Sequence, residues 1–165
     1  MNGPDFSRPV THAGNYSASE TSEYCTLALQ GFESLKYAAS ILAGTLILAY
    51  TGANRSFQDI GFAHKALDEL ERAEEIIRSI RVPVRSRHHH LHLTNALGAI
   101  RGVAEKLGRA RISGQPREMD AIVAELGRGW EELRHASRNV PGFEMVDLSQ
   151  SCCALHSRRL RGLGA

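Results

Sequence analysis

Arg78, Arg81, Arg85, Arg87, His88, His89, His90 and His92 follow one another along the chain with no acidic residue between them. Cations suit the carboxyl end of a helix finishing before Pro83, but they oppose the dipole at the start of the helix that follows. The chemistry such a segment suggests is recognition of an anion or an acidic protein surface by Arg85, Arg87, His88, His89, His90 and His92. That recognition would strengthen as the imidazoles protonate near about pH 6. The plainer reading of the same residues is a solvated basic turn.

Imidazole and thiolate also suit metal binding. In an up-down-up-down helical bundle, the turn after the second helix lies at the same end as the start of the first helix and the finish of the fourth. His88, His89, His90, His92, His135, His156, Cys25, Cys152 and Cys153 then converge on one end, with Glu20, Glu23 and Glu132 as possible oxygen donors. Zinc would draw on Cys25, Cys152, Cys153 and His156, since Cys153 and His156 are spaced to share a helical face. Against this, there is no paired C-x-x-C and no helical H-x-x-x-H with supporting carboxylates. Glu132 and His135 match a Glu-x-x-His pattern, but a di-iron core requires two such pairs. At about 100° per residue from Trp130, both fall on the polar side of their helix. The expectation is therefore no cofactor, with a zinc or iron bundle as the alternative.

Nothing in the chain announces an enzyme. There is no nucleophile elbow, phosphate loop or dinucleotide fingerprint, and a cysteine such as Cys25 within a packed helix usually serves as a small core residue. The stretch from His90 to Gly102, through Asn95, Leu97, Ile100 and Gly102, resembles the phosphoacceptor helix of sensor histidine kinases. The resemblance implies a histidine phosphotransfer role within a helical bundle. Aligning those positions places Leu91 where the phosphoacceptor histidine belongs, and His92 where an acidic residue is usual.

The elements that must position these residues are helices. A tail over 1–18, rich in Gly, Pro, Ser, Thr and Asn, precedes a capping-box signature at Ser17 and Glu20. The first helix reaches about Tyr50, with Tyr24, Leu27, Leu35, Leu42 and Leu46 at helical spacings. Thr51-Gly52-Ala53-Asn54 turns the chain, and Ser56 with Asp59 opens a second helix whose stripe is Ile60, Ala63, Leu67, Leu70, Ala73, Ile77 and Ile80. Pro83 ends it and Ser86 caps the third, which presents Leu93, Leu97, Ile100, Ala104 and Leu107. After Pro116 the fourth helix aligns Met119, Ile122, Val123, Leu126, Trp130 and Leu133, stopping at Asn139-Val140-Pro141-Gly142. The reading is an all-α, antiparallel four-helix bundle over 19–142, with a C-terminal extension over 143–165 that includes a short fifth helix. Glycines within the helices, Gly98 and Gly102 among them, point to close helix contacts.

Composition sets the limits. The chain has 165 residues, 42% hydrophobic and 23% charged, which suits one packed domain. A formal charge of +2, from 20 basic and 18 acidic residues, is too even for extensive nucleic-acid binding. Tyr37 to Asn54 carries no charge, yet Ser40, Thr45, Thr51, Gly52 and Asn54 within it favour a buried bundle helix over a membrane span. Three cysteines, two of them adjacent, make a poor disulfide framework, and the opening residues do not resemble a secretory signal. Both observations suggest a cytoplasmic protein. The long apolar first helix provides more packing surface than one small bundle requires, so a homodimer is expected.

Overall fold

A computed structural model describes residues 18–50, 61–109, 116–138, 140 and 142–145. They form four helices, α1 (Ala18–Tyr50), α2 (Gly61–Ser79), α3 (Arg87–Arg109) and α4 (Pro116–Ser137), with a 3-10 turn over Val84–Ser86 leading into α3. There is no strand among the described residues. The all-α, four-helix arrangement expected from the periodicities is the one observed. The expected tail, the Ser56–Asp59 cap and the C-terminal helix lie outside the described residues.

The bundle is built from two hairpins: α1 packs most extensively on α2, and α3 on α4. The hairpins meet along α2 and α3, while α1 also touches both α3 and α4. The apolar stripes explain this. On α3 all five predicted core residues, Leu93, Leu97, Ile100, Ala104 and Leu107, are buried, as are Leu70, Ala73 and Ile77 on α2. From α1, Tyr24, Ala28, Phe32, Leu35, Leu42 and Leu46 complete the core at steps of three, four and seven residues.

Where α3 and α4 press together within their hairpin, small residues allow it. A Cβ built on Gly129 of α4 would lie 2.8 Å from Ile100 Cγ1, so the α3–α4 seam has no room for a side chain there. Gly102 faces the Glu125 carboxylate, but Gly98 faces open space, so only one of that pair marks a close approach. The seams are tied by charge as well: Glu74 of α2 accepts from Arg101 of α3, and Glu125 of α4 from Lys106 of α3.

Two corrections to the expected core follow from tertiary packing. Leu67, Val123 and Trp130 are exposed; for the last two, α4 meets α1 only lightly and leaves a gap beside them. Conversely, the core continues past residue 142. Gly142 turns the chain with a φ of 94°, a conformation glycine adopts without strain, and delivers Phe143 into the bundle. The Phe143 ring is 1% exposed and meets Phe32 edge-on, with ring centroids 5.2 Å apart.

No described helix is long and apolar enough to cross a membrane. The uncharged half of α1 is a bundle helix, with Ala38, Ala39, Leu42, Thr45 and Leu46 buried. The Thr45 hydroxyl is satisfied within the helix, donating to the Ile41 carbonyl at 2.8 Å.

Candidate functional site

The chain leaves α2 at Ser79, buries Ile80 and Pro83, and enters the 3-10 turn with the Ser86 N–H donating to the Pro83 carbonyl at 2.9 Å. This extended passage pins the connection to the bundle and pushes its basic side chains outward. Arg81, Arg85, Arg87 and His88 are exposed. Arg81 has Glu20 of α1 at 3.8 Å, whereas no acidic side chain among the described residues pairs with Arg85 or Arg87. Arg78 is tied to Glu74 within α2.

The histidines do not form one surface. Contrary to the expectation that His88, His89 and His90 all face solvent, His89 is 4% exposed and forms part of the core. It stands one turn before Leu93, so it extends the buried stripe of α3. Its Nδ1 is 2.6 Å from the Tyr24 hydroxyl, and its ring stands edge-on to Phe143 with centroids 4.7 Å apart. The Tyr24 hydroxyl is also 3.5 Å from the Ser86 carbonyl, and His89 Nε2 is buried without a partner. One proton arrangement fits these contacts best. His89 Nδ1–H donates to Tyr24 Oη, the tyrosine O–H points to Ser86, and Nε2 keeps only a lone pair. The opposite tautomer would bury an N–H with no acceptor, the costlier fault.

Burial sets the electrostatics of this pair. It pushes the His89 imidazole down to about 4, aided by the neighbouring charges of His90 and His92, so His89 is neutral at physiological pH. Burial also lowers His90, whose Nδ1 has no partner, and raises the Tyr24 hydroxyl. Buried and neutral, His89 cannot serve as the surface charge switch suggested by the sequence.

His92 and His88 do something different. His92 Nδ1 lies 2.6 Å from Glu132 Oε2 of α4, and His92 Nε2 lies 3.1 Å from His88 Nε2. His135 stacks on His92 with centroids 5.3 Å apart. A helical H-x-x-x-H with a supporting carboxylate is therefore present, although the carboxylate comes from another helix. Glu132 and His135 lie toward α3 rather than on a purely solvated face.

The other expected ligands fare unevenly. Cys25 is a free, half-buried thiol packed against the core. Cys152, Cys153 and His156 lie outside the described residues. Among the described residues no group of three or more His, Cys, Asp and Glu is placed to hold a metal ion. Leu91, aligned with the phosphoacceptor position, is an exposed alkyl side chain with no nucleophilic atom.

Sequence reasoning missed Tyr24 as the partner of His89 and Glu132 as the partner of His92. The first had a signal, since His89 continues the helical stripe of Leu93, Leu97 and Ile100. The second had none beyond residue type.

Comparison with protein-family models, curated proteins and solved structures gives no match.

Proposed function

We propose that this protein is a helical interaction module, not an enzyme, that presents the basic connection between α2 and α3 to an acidic protein partner. The observation carrying the reading is the exposure of Arg85 and Arg87 on a pinned connection, with neither ion-paired to an acidic side chain among the described residues. Unneutralised guanidinium groups held on a fixed backbone are well suited to bidentate capture of carboxylates. Cysteine usage, including the free thiol of Cys25, favours a reducing, cytoplasmic setting. A labelled poly-glutamate peptide is a suitable probe. Its affinity should fall steadily as salt rises from about 50 to about 300 mM, because exposed charges are screened over roughly 8–10 Å in the middle of that range. Replacing Arg85 and Arg87 by glutamine should weaken it about tenfold, at up to roughly 1 kcal/mol per exposed charge pair. An affinity indifferent to both changes would show that the connection is merely solvated.

Self-association belongs to the same reading. Ile47 is 63% exposed on α1 beside exposed Leu48, Val123 and Trp130 are exposed at the α1–α4 gap, and Ser40 borders both that gap and the notch at Gly44. A specific pairing removes at least about 1,000 Å² in total, so two copies would have to meet over this whole face. From Tyr37 to Tyr50 the helix carries no charge, so two copies can meet here without like-charge repulsion. A second copy of the chain is the proposed occupant. Light scattering should give twice the 18.1 kDa chain mass, and Ile47→Glu should return the protein to a monomer. A wild-type monomer across a wide concentration range would remove the dimer while leaving the acidic-partner reading intact.

A further inference from the structure

His88 and His92 have the geometry of a chelating pair. They stand four residues apart on the first turns of α3, with Nε2 atoms 3.1 Å from each other, ring centroids 4.5 Å apart and ring planes inclined at 79°. A hydrogen bond between two imidazole nitrogens is best near linearity, and a head-on arrangement at this spacing would hold the centroids about 5.4 Å apart. Two imidazoles whose lone pairs meet at an ion, through bonds of roughly 2.0–2.1 Å, would span about 98° at this nitrogen spacing and hold their centroids about 4.8 Å apart. The observed rings are closer to the converging arrangement.

Glu132 strengthens the case. A carboxylate only accepts, so His92 Nδ1, 2.6 Å from Glu132 Oε2, carries the proton and Nε2 presents its lone pair toward His88. Metal-bound histidines characteristically have such a carboxylate on their other nitrogen, where it fixes the tautomer and raises the basicity of the ligating atom. His135, stacked on His92 with only 21° between the planes, packs against a face of the ring. With the His92 lone pair facing it, His88 donates its Nε2–H to His92. Moving that proton to His88 Nδ1, a change of tautomer, frees the second lone pair.

We propose that His88 and His92, with His92 oriented by Glu132, form a two-histidine site for a divalent first-row ion of the zinc and copper kind. Imidazole pairs favour these ions over calcium or magnesium, which take oxygen ligands. Exposed Arg85 and Arg87 nearby oppose any cation that relies on charge alone, which sharpens the same preference. No third side chain among the described residues joins the pair. Water completes the coordination, and the site is open and exchangeable rather than a closed structural centre. It stands independently of the acidic-partner reading.

The test uses the full chain without a histidine tag, titrated calorimetrically with zinc chloride and separately with copper(II) chloride. One ion should bind per chain, and the copper resonance spectrum should show coupling to two imidazole nitrogens. His88→Ala and His92→Gln, the latter able to keep a hydrogen bond to Glu132, should each weaken binding about tenfold or more. Glu132→Gln should weaken it about 10- to 100-fold. His64→Ala, an exposed change on α2, should leave it unaltered. The proposal fails if the wild-type chain binds neither ion. It also fails if the doubly substituted His88→Ala, His92→Gln chain, shown by circular dichroism to be folded, keeps wild-type affinity.

Discussion

Lowering the pH from about 7 to about 4 should cost the fold about 3 kcal/mol through His89 alone. The imidazole falls from an ordinary value of 6.5 in the unfolded chain to about 4 in the buried site, and each unit is worth about 1.4 kcal/mol. Because the folded value is depressed, the unfolded chain binds the extra proton between those two values. The contribution is fully present above about 6.5 and is lost progressively as pH falls toward about 4. Burial against Phe143, with Nε2 facing no partner, leaves the proton added at Nε2 nothing to donate to. Urea unfolding at a series of pH values, with a chelator present so that bound metal plays no part, measures the slope. His89→Leu should flatten it over this window, while carboxylates govern what remains at lower pH. An unchanged slope in His89→Leu would place the acid sensitivity elsewhere.

Phe143→Ala should destabilise the protein by about 3–5 kcal/mol, the usual cost of removing a fully buried aromatic side chain. The ring fills the space between Phe32 and His89, so its loss opens a cavity beside both. A second consequence distinguishes this site from an ordinary core position. With Phe143 gone, water reaches His89, its imidazole moves back toward 6.5, and the acid slope of the variant becomes shallower than that of the wild type. The two substitutions should therefore be non-additive in a double-mutant cycle at acidic pH. A stability loss under about 1 kcal/mol would show that residues after 142 are dispensable to the bundle.

His89 and Phe143 also show how far the amino-acid sequence reaches. The helices were legible because each obeys one local rule, an apolar residue every three or four positions between recognisable stops. On α3 that rule alone identifies Leu93, Leu97, Ile100, Ala104 and Leu107 as core. Extending the stripe back one turn would also have placed His89 inside. Its basic neighbours obscured this, because residue type suggested solvent while position indicated burial.

Val123 and Trp130 lie on the same periodic stripe of α4 as Leu126 and Leu133, yet they are exposed and those two are buried. Periodicity reports which face of a helix is apolar, but the width of that face actually covered depends on how closely a neighbour approaches. Only the light contact between α1 and α4 decides it. The pairing of His92 with Glu132 is of the same kind, since the two are 40 residues apart and meet because α3 and α4 run antiparallel at close quarters. By itself the sequence determined four helices, their stops and most of their buried faces, all products of short-range sterics and amphipathic spacing. Tertiary structure alone decided which histidine pairs with which partner, since those contacts depend on the register between helices.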